Sequence, residues 1–104
     1  MIKMVRLLKR PANMTLDEMR EWWLGPHANA AKRLPGLRKY VISLVFGSPD
    51  SEEPKYDGIA EMCFDSMEDV DRAQTSDVMK GLIKDSVGLN FTVVRLSTEE
   101  HIIV

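Results

Sequence analysis

A chain of 104 residues, 44% of them hydrophobic, with one cysteine and a formal net charge of −2, is long enough for one core and too short for a second domain. That balance excludes a disordered chain, and 14 basic residues scattered among 16 acidic ones make no phosphate-tracking surface, so no nucleic acid is expected as a partner. Cys63 alone allows no internal disulfide, no run reaches the ~18 apolar residues of a membrane span, and MIKMVRLLKRP is charged too early for a signal peptide; a cytoplasmic chain without a membrane partner is the expectation.

In chain order, residues 2–9 (IKMVRLLK) predict a strand with Val5 and Leu7 on one face and Ile2, Met4, Arg6 and Leu8 on the other. Thr15 followed three residues later by Glu18 is a capping box, and the apolar spacing after it predicts a helix over about 16–24. Gly25-Pro26 interrupts that pattern, because proline has no N–H and restricts the residue before it. A second short helix is expected over about 27–34, with His27 at its start, one turn beyond Trp23. Pro35-Gly36 makes a turn. LRKYVISLVFG, 37–47, is the strongest strand signal, with Tyr40, Ile42, Leu44 and Phe46 on one face and Val41 and Val45 on the other. A polar, proline-containing loop covers 48–57. In the third strand, 58–64, Ala60, Met62 and Phe64 alternate with Ile59, Glu61 and Cys63. Ser66 with Asp69, then Ser76-Asp77, open helical pieces. LNFTVVRLS, 89–97, predicts a fourth strand with Phe91, Val93 and Arg95 on one face, and the tail TEEHIIV ends on three β-branched residues, which suggests docking.

The order β-α-β-β-α-β with right-handed crossovers predicts an α+β, ferredoxin-like sheet with both helices on one face. Strands apolar on both faces need a cover for the second face. The expectation is a second copy, sheet to sheet: a homodimer forming a dimeric α+β barrel with a cavity between the layers.

With the first strand central, parity groups Arg6, Glu61 and Arg95 on the open face, where Glu61 is the available anion for either arginine. The group reads as a structural ion pair or as a site for an anionic or polar ligand. Cys63 reads as a small buried apolar group or as a nucleophile. Trp23 walls a pocket or packs the core, with Phe64 excluding water beside it, and Tyr40 can offer a phenol. His27, just after the helix break, is either a structural residue or an imidazole kept neutral by the positive end of the helix behind it, ready to act as a base. Two histidines and one cysteine far apart make a poor metal set, so neither metal nor cofactor is expected.

Taken together, IKMVRLLKRP, Trp23-x-x-x-His27 within EWWLGPHA, LPGLRKYV at 34–41, GIAEMCFDS at 58–66 and Ser76-Asp77 resemble the EthD family of dimeric α+β-barrel proteins along almost the whole chain, read as one EthD-like domain over 1–104. The chain is also similar to methylmuconolactone methylisomerases, whose loop after the second strand FGSPD resembles. That resemblance implies proton transfer for His27 and a catalytic cysteine near the position of Met62; here Met62 stands there and Cys63 next to it, facing the opposite way.

The resulting expectation is a cofactor-independent isomerase or lyase that moves protons on a small lactone, phenolic or polyketide-like compound of aromatic or xenobiotic catabolism. His27 is its catalytic residue, and Arg6, Trp23, Tyr40, Glu61, Cys63, Phe64 and Arg95 line its substrate. The alternatives are a non-catalytic ligand-binding accessory protein of such a pathway, or a cofactor-free monooxygenase.

Overall fold

The computed structural model describes residues 1–50 and 53–104. The first strand, β1, is Ile2–Lys9. At Thr15 the predicted cap is reciprocal: the hydroxyl accepts from the Glu18 amide at 3.1 Å, and the Glu18 carboxylate accepts from the Thr15 amide at 2.9 Å. Helix α1, Leu16–Trp22, starts there. Pro26 then forbids a regular ladder, and the backbone widens into a turn over Trp23–His27. Gly25 leaves the helical region at φ −97°, ψ −105°, and the Ala28 amide reaches back to the Trp23 carbonyl. Helix α2 is only Ala28–Ala31, shorter than the expected piece, because Arg33 and Leu34 tighten into three-residue turns ahead of Pro35.

Strand β2, Lys39–Leu44, falls short of the expected 37–47 because its partner β3, Gly58–Phe64, gives out opposite Leu44. Phe46 lies past that last pair with its ring fully in solvent. Of the polar loop 48–57, residues 51 and 52 fall outside the described residues. Ser66 caps α3, Met67–Gln74, and Ser76 caps α4, Asp77–Gly88, each hydroxyl accepting from a backbone amide at 3.2 Å. Strand β4 is Thr92–Glu99, and Ile102, Ile103 and Val104 beyond it extend into solvent instead of docking on the chain.

The strands run in the order β2-β3-β1-β4 with every neighbouring pair antiparallel, so β1 is central as the crossover rule predicts. The edges β2 and β4 do not meet. The expected α+β barrel is corrected on this point: the sheet is open, and four strands are about half of what a small closed barrel takes.

One sheet face is buried under the helices. Met4, Leu8, Ala60, Met62 and Phe64 point that way and pack in two clusters, one with Val70, Ala73, Met79 and Leu82, the other with Met19, Trp23 and Phe91. Gly58 is what lets the Trp23 ring come close to this face: a Cβ there would come within 2.1 Å of the indole Cζ3. The other face carries Val5, Leu7, Val41, Ile59, Val94 and Leu96, none fully buried.

The register also corrects the expected grouping of charges. Arg6 pairs with Ala60 and with Arg95, whereas Glu61 pairs with Val5. Arg6 and Arg95 therefore belong to the helix-covered side and Glu61 to the uncovered side, where it binds Lys3 Nζ at 3.1 Å.

Candidate functional site

Between the sheet and the helices lies a hollow of about 50 Å³. Its walls are mostly apolar, from Leu8, Ala60, Met62 and Val93 on the strands and Met79, Leu82 and Ile83 on α4. Its polar groups are Arg6, His27, Tyr40, Ser86 and Arg95, with the indole of Trp23 completing one side.

The wide turn brings His27 over α4. There Nδ1 sits 3.1 Å from Oδ2 of Asp85, and the ring is 12% exposed against 44% for the carboxylate. A carboxylate only accepts, so Nδ1 carries the proton. Nε2 has no hydrogen-bond partner among the described residues, and in the neutral ring it holds the lone pair that can act as a base. The same Asp85 oxygen accepts the indole N–H of Trp22 at 3.0 Å. Trp22 lies tilted against His27, 4.4 Å between ring centroids, and stacks on Phe91 at 4.6 Å. The Asp85 hydrogen bond and the Trp22 ring, itself anchored on the same carboxylate oxygen, thus hold the imidazole. The expected dipole effect is replaced by this partner, since a four-residue α2 sums too few peptide dipoles to matter.

Tyr40 reaches the hollow from β2. Burial pushes its phenol up to about 12, against a smaller opposite pull from a hydrogen bond with the Trp23 side chain, so it stays a neutral donor at pH 7. Arg6 and Arg95 stand opposite one another across β1 and β4. Burial first, then the charge of Arg95, lowers Arg6 to about 10, which leaves it charged at neutrality. Its Nη1 donates to the Val5 carbonyl at 3.1 Å.

Of the residues singled out in the sequence, Arg6, Trp23, His27, Tyr40 and Arg95 line this hollow together. Glu61 and Cys63 lie with Lys3 on the strand positions of the other face, and Phe64 is fully buried in the core beside Val70 and Ala73. Asp85 escaped sequence reasoning; the only hint was an acid three residues after Leu82 and next to Ser86, at the margin of the buried side of α4. Trp22, not Trp23, is the ring against His27. Among the described residues no group of three His, Cys, Asp or Glu side chains is placed to hold a metal ion, and no helix is long and apolar enough to cross a membrane.

An open four-stranded antiparallel sheet in β-α-β-β-α-β order, with a mostly apolar hollow under the helices, defines a ferredoxin-like α+β protein. Within that class the chain belongs to the EthD family: the EthD domain matches residues 11–92. Among solved structures it is similar to an ethyl tert-butyl ether D (EthD) family protein from Bacillus halodurans, with 27% identity, a TM-score of 0.82, and 97% of this chain and 99% of that one covered. It shares its fold with HapK from Hahella chejuensis, with 14% identity, a TM-score of 0.74 and coverage of 97% and 93%. SnoaB, a cofactor-independent oxygenase from Streptomyces nogalater, has the fold too, with 13% identity, a TM-score of 0.72 and coverage of 98% and 95%. No curated protein matches the chain significantly.

Proposed function

We propose that this chain is a cofactor-independent enzyme that deprotonates a small, mostly apolar, oxygenated compound and passes the resulting anion to molecular oxygen. The observation that carries the reading is the His27–Asp85 hydrogen bond at 3.1 Å, which leaves Nε2 available as a base on a residue lining a mostly apolar hollow. Nε2 takes a proton from an acidic methylene flanked by aromatic or carbonyl groups. The neutral Tyr40 phenol donates to the neighbouring oxygen as it gains charge. The carbanion reduces O₂ and bonds to it, and the peroxide takes back the proton held on His27. The remaining C–H proton then leaves as the O–O bond breaks, so that R₂CH₂ and O₂ become R₂C=O and H₂O with no external reductant. Support for oxygen as the acceptor comes from the shared fold with SnoaB.

The same base serves an isomerase or lyase if the proton returns to another carbon, and a binding protein if nothing reacts. One experiment separates the three. Anthrone, hydroquinone and a muconolactone are incubated with the protein, followed by an oxygen electrode and by product analysis in air and under argon. Oxygen uptake equal to product formed, abolished under argon and in His27→Ala, is the expected result. Product formed equally under argon overturns the oxygenase step and leaves proton transfer. Quenching of Trp22 and Trp23 fluorescence without any product overturns catalysis. The same reading takes residues 1–104 as one domain, cytoplasmic and working as a homodimer, with the uncovered apolar face of Val5, Leu7, Val41, Ile59, Val94 and Leu96 as its support.

A further inference from the structure

The hollow beside His27 is too small for a ring by itself. At about 50 Å³ it falls far below the ~300 Å³ at which ligand pockets begin. A second recess of about 320 Å³ adjoins it, lined by Gln74, Leu96 and Ser97. Both hollows share Arg6, Met79, Ile83 and Arg95, so the two arginines stand at the boundary between them. A ligand that reaches His27 and has the size of even one aromatic ring must lie across that boundary.

Two guanidinium groups on directly paired residues repel one another, and one of them is partly desolvated as well. Among the described residues the other partly buried cations are all paired with carboxylates. Lys3 has Glu61 and Glu100, and Lys9 and Arg10 share Asp57. Among the described residues no carboxylate lies within ion-pair distance of Arg6 or Arg95. Held next to each other at that cost, the two guanidinium groups offer several N–H donors to one anion, even with Arg6 Nη1 engaged by the Val5 carbonyl.

We propose that the Arg6–Arg95 pair is a carboxylate receptor, so that the substrate of this enzyme is an aromatic or enolic carboxylic acid. The acid group docks at the boundary between the hollows, and the acidic position points inward to His27. The proposal rests on the enzymatic reading above only for the word substrate; the receptor itself is a binding site that stands or falls alone.

The test uses 2-hydroxybenzoate and its neutral methyl ester, which share the ring and the phenol and differ in the charge. Each is titrated into the full chain, and binding is read from the arginine Nε–H and tryptophan indole resonances. In the wild type the acid should bind about tenfold or more tighter than the ester, the range of a charge-assisted hydrogen-bonded contact. In Arg95→Gln, an exposed position with little risk to folding, that preference should fall severalfold, and in Arg6→Gln/Arg95→Gln it should vanish. In His27→Ala it should persist. An ester that binds as well as the acid, a preference that survives the double substitution, or no binding of either compound at millimolar concentration overturns the receptor. A clear preference for the acid without turnover of any compound keeps the receptor and sinks the enzyme. Turnover of neutral compounds with no preference for acids does the reverse.

Discussion

Nδ1 of His27 and Oδ2 of Asp85 lie 3.1 Å apart although they are 58 positions apart in sequence. The first sits in the wide turn that Pro26 imposes, the second on α4, and the contact forms only when the two halves of the chain close over the sheet. That dependence makes the pair testable from both ends.

Removing the imidazole should leave the fold intact, because His27 belongs to neither buried cluster. For His27→Ala the expected loss is on the order of 10²–10⁴-fold in kcat/KM, the usual cost of a missing acid–base group, with His27→Gln similarly impaired. Wild-type kcat/KM in His27→Ala between about pH 6 and 8, around the ordinary histidine pKa, would sink the role.

Asp85→Asn asks whether the carboxylate acts through the tautomer. The asparagine amide can donate to Nδ1, which moves the ring proton to Nε2 and blocks the base without moving the ring. Activity should fall by at least about 10²-fold, as when a triad aspartate is amidated elsewhere. The ¹⁵N shifts of the imidazole should exchange their assignments at the same time. Lost activity with unchanged ¹⁵N shifts would make Asp85 merely structural.

Tyr40 predicts an alkaline effect with a definite sign. Its folded pKa of about 12 lies above the ordinary phenol value of 10.0, so above pH 10 the unfolded chain loses this proton while the native one keeps it. Stability from this group is complete below pH 10 and is lost between pH 10 and 12. Urea midpoints of the wild type should therefore fall across that window relative to Tyr40→Phe, which lacks the proton. Parallel curves would contradict the burial of the phenol.

Gly58→Ala and Gly81→Ala should move stability in opposite directions. At position 58 the added methyl meets the Trp23 ring at 2.1 Å, an overlap that should cost about 1–3 kcal/mol or more. At position 81, inside α4, nothing lies within 4 Å, and the better helix former should stabilise by about 0.5–1 kcal/mol. Chemical denaturation of the two variants side by side decides both. Equal midpoints would mean that Trp23 yields more easily than its burial implies.

The uncovered sheet face makes the association state a further test. A second copy seated there should bury more than about 1,000 Å², so the wild type should sediment as a dimer at micromolar concentration, and Val94→Asp should abolish it or leave insoluble protein. A soluble wild-type monomer would remove the homodimer.

Local chemistry was legible where local rules decide it. The Thr15–Glu18 box, the Ser66 and Ser76 caps and the proline break are each written within a few residues, and each lies where the spacing puts it. Parity along β1 was also right, yet it does not say which parity of β3 lies beside it. Arg6 was therefore grouped with Glu61, when the register gives it Ala60 and Arg95. The extent of β2 followed β3 and not its own β-branched run, since a strand ends where its partner does. Asp85 was invisible for a plainer reason: nothing along a helix says that its neighbour is a histidine brought in from another turn.

Gly58 and Trp23 carry a consequence for descent. The indole occupies the volume a side chain at 58 would need, so position 58 cannot change freely while Trp23 stays. In any lineage that keeps this hollow, a residue with a Cβ at 58 must arrive with a smaller ring or an aliphatic side chain at 23, and the reverse order of events is open where the forward one is closed. Trp23 can shrink first at the cost of a cavity, whereas Gly58 can grow first only against the overlap with the ring. Sequences of the family should therefore contain small residues at 23 beside glycine at 58 as the passing state, and lack tryptophan beside anything larger than glycine.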